Sequence, residues 1–386
     1  MKRTQHFPWR AQNNFALLVD GKDFYPAMLD AIDEAKHYIL IEQYIIESGV
    51  VFNEIASRLI KARNRDVDIY IIADDFGSQN LAKSDRDHLL ANDIQLVFFN
   101  PTTWSSVYRS LRRNHRKLMV IDNQVAFVGG ANISDTYLDS HNIYPGWHDV
   151  MVRISGEIVN DWINSFNRVW LETTNEPLQL PELNNQYIGN QTGRVCVAYG
   201  LMHNEITRGA ITHIKKSEQR VWIASPYFVT TRRLRHALKR AARRGIDVRL
   251  LLPGPISDHC WISHAARRYY KRMLHNGIKI YEYQPRFIHA KLILCDDWVS
   301  IGSSNLDRWN QYWNYDASQT ILHSSFTNKV VELFESDFIQ SEVITFQDWE
   351  RRPLLQRTRE WISGHSISLL QWFSYFITRL NKKSGQ

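Results

Sequence analysis

The chain of 386 residues, 44% of them hydrophobic, is longer than one hydrophobic core usually organises, so two domains or two fused halves are expected. Its formal net charge of +7 indicates a polyanionic partner, either phospholipid headgroups or nucleic acid. The three cysteines, Cys196, Cys260 and Cys295, lack the spacing of a zinc site, a redox pair or a disulfide framework, which favours a reducing compartment. The basic N-terminus is not followed by an apolar stretch, so we predict no signal peptide and a cytoplasmic catalytic part.

The first 171 residues alternate between helical and strand periodicity. Helices are predicted at 24–35, 51–62, 85–91 and 158–171, and strands at 38–46, 67–72, 94–99 and 149–154. This rhythm is typical of βαβ units. The segment 172–193, rich in Asn, Pro and Gln, is the predicted linker.

After the linker the same order of elements begins again, which predicts an internal duplication. Residues 65–72 match 245–252, and residues 92–101 match 276–285. We therefore expect an N-terminal half at 1–171, a C-terminal half at 194–345 and a tail at 346–386. Both halves should have an α/β fold.

The pattern H-x-K-x-x-x-x-D occurs once in each half, as His115, Lys117 and Asp122 and again as His289, Lys291 and Asp296. Each copy is predicted to form a short strand, in which side chains two residues apart leave the same face. An apolar run and a glycine turn follow each copy and end in Asn132 or Asn305. One copy alone would more often be a solvated strand edge than a catalyst, but two copies with the same flanking turn favour catalysis.

If the halves pack about a pseudo-twofold axis, both motifs meet at one cleft and offer two imidazoles, two ammoniums and two amides to one substrate. Such a site suits a phosphodiester. A neutral imidazole can attack phosphorus to form a covalent phosphohistidine, while the other, protonated, gives its proton to the leaving alkoxide and later activates the acceptor hydroxyl. The lysines and asparagines would hold the non-bridging oxygens. No metal or other cofactor is required, and no carboxylate–histidine cluster with metal-ligand spacing is found.

Each imidazole also needs a carboxylate that fixes its tautomer. Asp122 and Asp296 belong to the motifs, but they lie on the far side of the strand, where a structural role is expected. Asp149 and Asp316 are better candidates, because each opens a strand in the corresponding place of its half. The alternative for both is an ordinary strand-end or cap carboxylate. Which aspartate serves which histidine stays open.

Substrate-binding residues are predicted beside both motifs. The first half carries an insertion within 102–114 that the second half lacks. Its Arg109, Arg112 and Arg113 would form a basic, aromatic lip beside the site, and the alternative is a solvated loop. Ser303 in the second glycine turn and the nearby Trp309 complete the candidates, although packing in the core is the commoner fate of a tryptophan.

Two features bear on the polyanionic partner. The stretch 361–378 is aromatic, contains no Asp, Glu, Lys or Arg, and is followed by basic residues, which suits an interfacial helix on an anionic leaflet. A helix packed on the body of the protein is the alternative. The basic segments at 232–244 and 267–272 fit membrane docking and a nucleic-acid backbone equally well.

The paired motifs, the G-G-x-N and G-S-x-N turns and the duplicated halves resemble the phospholipase D superfamily over about residues 15–340. Within it the chain is most similar to bacterial cardiolipin synthases, particularly the shorter B type. That similarity rests on the opening L-V-D-G-K-D-F-Y-P, on the first motif with its G-G-A-N turn, and on G-S-S-N-L-D-R at 302–308. The resemblance implies two α/β/α sandwich halves related by a pseudo-twofold axis, with the active site between them.

The same resemblance implies a phosphatidyl transfer. One phosphatidylglycerol loses glycerol to a histidine, and the hydroxyl of a second phosphatidylglycerol takes the group to give cardiolipin. Relatives imply that His115 is the nucleophile and His289 the acid and base. The implied partners are anionic phospholipid and the cytoplasmic face of a bacterial inner membrane, where the protein would be peripheral. No nucleic acid is expected, and no protein partner is specified.

The chain departs from the family pattern in two places. Five residues separate Asp296 from Gly302 where six separate Asp122 from Gly129, a difference expected to shift Asn305, and Asp316 stands where many synthases have Glu. A hydrolytic phospholipase D or a metal-independent nuclease of the same superfamily is the alternative function. A non-enzymatic membrane-surface scaffold is the least favoured, because both His–Lys pairs are intact.

Overall fold

The computed structural model describes residues 6–101, 111–139, 145–183, 189–200, 203–258, 260–307 and 312–352. Its fold is α/β, as the sequence predicts. The first half contains β1 (Arg10–Val19), α1 (Gly21–Glu34), β2 (Tyr38–Gln43), α2 (Val50–Arg63), β3 (Asp68–Asp74), α3 (Lys83–Ala91), β4 (Gln95–Phe99), β5 (Leu118–Ile121), β6 (Val125–Gly129), a 3-10 turn (Asp135–Tyr137), β7 (Val150–Gly156) and α4 (Val159–Thr174).

The second half repeats this order, with two short helices in the place of α3. It contains β8 (Gln191–Tyr199), α5 (Glu205–Lys216), β9 (Arg220–Ala224), α6 (Arg232–Arg243), β10 (Asp247–Pro253), α7 (Cys260–Arg267), α8 (Tyr270–Leu274), β11 (Lys279–Tyr283), β12 (Leu292–Cys295), β13 (Trp298–Gly302), β14 (Tyr315–Leu322), α9 (Ser324–Ile339), β15 (Ser341–Ile344) and α10 (Phe346–Arg351).

The strands form one sheet whose order is symmetric about its centre. The order is β15-β11-β10-β9-β12-β13-β14-β8-β1-β7-β6-β5-β2-β3-β4, so every strand except β15 has its counterpart at the same distance from the centre. The halves join where β1 and β8 pair in antiparallel fashion, through Arg10 with Gly193 and Asn13 with Gln191. The predicted duplication about a pseudo-twofold axis is confirmed.

The two halves share a hydrophobic core. Layers cover both faces of the sheet, so the inner parallel strands are buried on both sides. Every residue of β2 is buried, including the polar Glu42 and Gln43 at its carboxyl end. One cluster of buried side chains combines Leu40, Val128 and Val152 of the first half with Leu292 and Ile301 of the second. The halves are therefore packed against each other on common apolar contacts.

Each predicted element of the first half is observed, and its ends agree to within three residues. The strand predicted at 38–46 ends at Gln43, because the chain then turns to another partner: the Ile45 N–H donates to Asn132 Oδ1 at 3.2 Å. The helix predicted to end at 171 continues to Thr174, where Asn175 ends it in a left-handed conformation (φ 63°).

Among the described residues, no helix combines the length and the apolar character that crossing a bilayer needs. The aromatic stretch at 361–378 lies outside the described residues, as do Arg109 and Trp309. Their predicted roles stay predictions.

Candidate active site

The two motifs lie at equivalent edges of the sheet. Leu118, directly after Lys117, pairs with Glu42 near the carboxyl end of β2, and Leu292, directly after Lys291, pairs with Ala224 at the carboxyl end of β9. β2 runs parallel to β3, and β9 runs parallel to β10. The carboxyl edge of such parallel strands is where open α/β sheets bind their ligands.

The sequence predicts that the histidine and lysine of each motif lie within a strand, and this detail is wrong. β5 begins at Leu118 and β12 at Leu292, so both pairs precede their strand. The backbone of each histidine bonds to the other half instead. The His115 N–H donates to the carbonyl of Tyr315 at 2.9 Å, and the His289 N–H donates to the carbonyl of His148 at 2.7 Å. Each motif is thus fixed by the half to which it does not belong.

Each histidine is paired with an aspartate from the other half. His115 Nδ1 lies 3.0 Å from Asp316 Oδ1, and His289 Nδ1 lies 2.6 Å from Asp149 Oδ2. All four side chains are buried. The Nδ1 contact leaves Nε2 of each imidazole as the nitrogen that can act on a substrate. The sequence leaves open which aspartate serves which histidine. In the structure the pairing is crosswise, because each histidine is paired with the aspartate of the other half.

The lysines place their ammonium groups against the histidines. Lys117 Nζ donates to the carbonyl of His115 at 2.7 Å, and it lies 4.9 Å from the centre of the Tyr44 ring. Lys291 Nζ donates to the carbonyl of His289 at 2.5 Å and lies 2.9 and 3.0 Å from the two ring nitrogens. Both lysines are buried, so water screens their charges little.

Burial and the lysine of its own motif lower the pKa of His115 to about 4 and the pKa of His289 to about 3. The lysine of the opposite half lowers the pKa of each histidine further, so the four groups act on one another in one site. Burial also lowers the pKa of Lys291 to about 8 and the pKa of Lys117 well below its usual value. Both imidazoles are therefore neutral near neutral pH, as a nucleophile requires.

The two turn asparagines differ in their contacts. Asn132 accepts from the Ile45 N–H, and its Nδ2 donates to the Tyr137 hydroxyl at 3.1 Å. That hydroxyl lies 3.2 Å from His289 Nδ1, which makes Tyr137 a neighbour of the site that the sequence did not reveal. Asn305 is buried, and its Oδ1 accepts no hydrogen bond from the described residues.

The glycine turns differ in the residue beside the aspartate. Ser303 Oγ donates to Asp316 Oδ1 at 2.8 Å and accepts from the Ala317 N–H at 3.1 Å. Its counterpart is Gly130, where a Cβ would lie 2.3 Å from Asp149 Oδ1. Asp149 thus packs directly against the first glycine turn, whereas Asp316 accepts a hydrogen bond from the hydroxyl of Ser303. Ser303, predicted to bind substrate, instead directs its hydroxyl to Asp316.

A third buried histidine, which sequence analysis did not single out, supports the second motif. His148 Nδ1 lies 2.7 Å from Asp20 Oδ1, and its Nε2 lies 3.1 Å from Asp337 Oδ2. Although burial lowers it, hydrogen bonds to these two carboxylates raise the pKa of His148 to about 9. The residue is therefore an imidazolium near neutral pH. Its carbonyl accepts from the backbone of His289, and its chain neighbour is Asp149.

The motif aspartates lie at the opposite ends of β5 and β12 from the histidines. Asp122 accepts from the N–H groups of Lys36, His37 and Tyr38 at 2.6–2.8 Å, and Asp296 accepts from those of Glu218, Gln219 and Arg220 at 2.8–3.0 Å. Both aspartates adopt a left-handed conformation, which Asp tolerates better than most residues. Their hydrogen bonds fix the backbone at the starts of β2 and β9, which is a structural role.

The two motifs differ by one residue in the hairpin turn that follows each motif aspartate. Residues 122–124 connect β5 to β6, whereas 296–297 connect β12 to β13. Beyond the turn the register is the same, because Leu118 pairs with Val128 and Leu292 with Ile301. The expected shift of Asn305 is therefore not observed.

The described part of the predicted basic lip is engaged by protein groups. Arg112 Nη2 donates to Glu172 Oε1 at 2.9 Å and also contacts the hydroxyl of Tyr315. Arg113 is buried, 3.5 Å from Asp74 Oδ1. These arginines brace the chain around the first motif, and their role in a basic lip that binds substrate stays a prediction.

Among the described residues, one group outside the motifs has the geometry of metal ligands. Ligand atoms of His6, His203 and Glu205 lie within 4.8 Å of one another. Arg194 Nη2 lies 2.6 Å from Glu205 Oε1, and this permanent cation opposes a metal ion there. The trio was not predicted, because His6 is distant from its partners along the chain.

The family model described as cardiolipin synthase, PLD-like domain, matches residues 28–170 and 210–338. The cardiolipin synthase of Alkalihalophilus pseudofirmus is 33% identical over 358 residues, which cover 89% of this chain and 70% of that protein. Cardiolipin synthase A of Pseudomonas putida is 31% identical over 363 residues, which cover 92% of this chain and 75% of that protein. The narrower similarity to the B type stays a prediction.

Solved structures resemble the fold. The phosphatidylserine synthase of Haemophilus influenzae superposes with a TM-score of 0.73 at 15% identity and covers 96% of both chains. The polyphosphate kinase of Porphyromonas gingivalis superposes with a TM-score of 0.61 at 13% identity, over 92% of this chain and 53% of that one. At these identities the likeness concerns the fold alone.

Proposed function

The chain belongs to the cardiolipin synthase family of PLD-like proteins, and we propose that it transfers a phosphatidyl group between two phosphatidylglycerol molecules through a covalent phosphohistidine. The observation that carries this proposal is the crosswise pairing of His115 with Asp316 and of His289 with Asp149. It presents two oriented imidazoles in one buried site, which is what a two-step transfer between alcohols needs.

In the first step Nε2 of the neutral His115 attacks the phosphorus of phosphatidylglycerol, and the bond from phosphorus to the glycerol headgroup oxygen breaks. His289 gives its proton to that oxygen, and glycerol leaves. Lys117 and Lys291 stabilise the charge on the non-bridging oxygens. The anionic phosphodiester also offsets the two lysine charges, which raises the pKa of His289 and lets it carry the proton when substrate is bound.

In the second step His289, now neutral, takes the proton of a hydroxyl group on a second phosphatidylglycerol. The oxygen of that hydroxyl attacks phosphorus, and the bond from phosphorus to His115 breaks. Cardiolipin is released, His115 is neutral again, and His289 again carries its proton. Water can attack the same phosphohistidine, so the burial of both imidazoles, 7% and 5% exposed, supports transfer over hydrolysis.

The substrates of this reaction are phospholipids, so the family relationship supports membrane-associated phospholipid metabolism. We infer peripheral association with the cytoplasmic face of a bacterial inner membrane. Anionic phospholipid is the expected partner, and no nucleic acid is required by the reaction.

The test is incubation of the purified chain with phosphatidylglycerol vesicles and mass spectrometry of the products. Cardiolipin and glycerol in equal amounts are the expected products, and His115→Ala should make neither. Phosphatidic acid with glycerol and no cardiolipin would identify a hydrolase instead. Degradation of DNA that depends on His115, without cardiolipin formation, would identify a nuclease.

A further inference from the structure

Exposed apolar side chains lie at the carboxyl ends of the parallel strands in both halves. The two motifs lie at the same ends, and this surface is called the motif edge. Phe76 follows the carboxyl end of β3 and is 54% exposed, and Ile256 follows the carboxyl end of β10 and is 47% exposed. β3 and β10 are equivalent strands of the two halves, so these side chains flank the site from both sides. Trp261, at the start of α7, is 49% exposed on the Ile256 side. Single exposed apolar side chains are common on protein surfaces, but these three lie beside the two motifs, where an apolar partner could contact them.

The connection that carries two of these side chains, described at 254–258 and 260–261, is linked to the second motif through a chain of contacts. Asp258 accepts a hydrogen bond from the Tyr227 hydroxyl. The Tyr227 ring lies 6.4 Å from the ring of Phe287, which in turn lies 5.9 Å from the imidazole of His289. A partner that touches this connection therefore approaches the second motif.

A basic cleft starts beside the same edge. α6 follows the loop that leaves the carboxyl end of β9, so its first turn lies at the edge with the motifs. The cleft has a volume of about 460 Å³ and is lined by Arg232, Arg233, Arg235, His236, Lys239 and Arg272, together with two apolar neighbours.

Four cations of this basic cleft are not neutralised by carboxylates of the described residues. Arg232, Arg233, Lys239 and Arg272 form no ion pair with any of the described residues. Two nearby cations that are not part of the cleft lining are paired: Arg267 with Glu282 at 2.5 Å, and Lys271 with Glu350 at 2.9 Å. The cleft therefore offers four unpaired cations to an anionic partner.

We propose that this edge docks on an anionic phospholipid bilayer, with Phe76, Ile256 and Trp261 among the headgroups and the cations of the basic cleft on the lipid phosphates. The proposal rests on the proposed function only in its choice of a lipid substrate. Among the three apolar side chains, the aliphatic Ile256 favours a bilayer over a nucleic acid, because it neither stacks on a base nor gains from a phosphate backbone. Phe76 and Trp261 fit either partner, since aromatic rings can also stack on bases. Docking in this orientation brings the two motifs to the headgroup level.

The test of the cleft is co-sedimentation of the full chain with vesicles of phosphatidylcholine alone and of equal parts phosphatidylcholine and phosphatidylserine. Replacing Arg232→Gln and Arg233→Gln together should weaken binding to the anionic vesicles about 25-fold, or about fivefold for each cation, which corresponds to about 1 kcal/mol each. The matched control, Arg240→Gln with Arg243→Gln, removes the same charge from the other end of α6. That end is roughly 12 Å away, more than a Debye length, so the control should change binding by less than about twofold.

The test of the apolar contacts uses Phe76→Ser with Ile256→Ser. This pair should weaken binding to the anionic vesicles about tenfold, and the loss should persist at high salt, because it removes apolar burial and no charge. Thermal unfolding midpoints equal to that of the parent show that the exposed substitutions leave the fold intact.

Several results would overturn the docking proposal: equal losses in the cleft pair and its control, binding that neither pair affects, or tighter binding to short duplex DNA than to the anionic vesicles. His115→Asn should bind the vesicles as the parent does, because binding needs no turnover. A chain that docks through this edge and yet makes no cardiolipin would remove the proposed function and leave the docking surface standing.

Discussion

His115 and Asp316 lie 201 residues apart in the sequence and in different halves of the chain, yet His115 Nδ1 is 3.0 Å from Asp316 Oδ1. His289 and Asp149 repeat the arrangement in the opposite direction. Neither half therefore supplies the aspartate that pairs with its own motif histidine. The site exists only when both halves are folded and packed together.

Asp316→Asn should lower kcat about 10²- to 10⁴-fold, because the carboxylate fixes the imidazole tautomer and stabilises its charged form. KM should change little, since Asp316 contacts His115 and not the substrate. Asp297→Asn, in an exposed hairpin turn, is the matched control. Steady-state kinetics with phosphatidylglycerol measures both variants, and a parental kcat for Asp316→Asn would contradict the role of the pair.

The division of labour between the histidines can be tested with a nitrophenyl ester of phosphatidic acid. A nitrophenolate leaves without a general acid, so His289→Ala should still form the covalent intermediate and release nitrophenol in a burst, and then turn over slowly. His115→Ala should give no burst. The two traces are recorded by rapid-mixing absorbance, and the intermediate by mass spectrometry. A burst in His115→Ala that is absent from His289→Ala would show that His289 is the nucleophile and His115 the acid and base.

Gly130→Ala should be more harmful than Ser303→Ala. A methyl group on residue 130 would lie 2.3 Å from Asp149 Oδ1 and must displace the carboxylate from His289, so we expect a loss in kcat of about 10²-fold or more. Ser303→Ala removes one hydrogen bond to Asp316, worth about 1 kcal/mol or roughly fivefold in rate. Both are compared with the parent in kcat and in thermal midpoint. The reverse ranking, with both proteins folded, would show that the turn does not position Asp149.

The His148 imidazolium should make stability depend on pH. Its pKa rises from 6.5 to about 9 on folding, so its contribution, on the order of 3 kcal/mol, is fully present below pH 6.5 and is lost as the pH rises through about 9. Urea unfolding across this window should show the decline in the parent. His148→Gln should be less stable at pH 6.5 and should lack that decline. Parallel profiles for the two proteins would contradict a charged His148.

The repeated parts of the molecule could be predicted from the sequence. Two copies of one pattern identified both His–Lys pairs, and the matching strand starts identified Asp149 and Asp316 as the carboxylates that the structure places beside the imidazoles. Strand and helix positions followed from apolar periodicity, because buried parallel strands and amphipathic helices have different periods.

The crosswise pairing could not be predicted, because it depends on how the halves pack and not on the order of residues within either half. The His148 cluster was missed for a related reason. Asp20 and Asp337 come from opposite ends of the chain, and their contacts with His148 are not repeated as a sequence pattern. Substrate binding was predicted for Arg112 and Ser303, and the sequence did not reveal the tertiary contacts that both make.

Because the two glycine turns carry different residues, the two sides of the duplicated site are not equivalent. In an exact duplicate the two ends of the site would be interchangeable, and either imidazole could start the reaction. Gly130 and Ser303 hold their aspartates in different ways, so the ends are chemically distinct. The order of events at the phosphorus atom can then be set by residues that contact the aspartates and not the imidazoles.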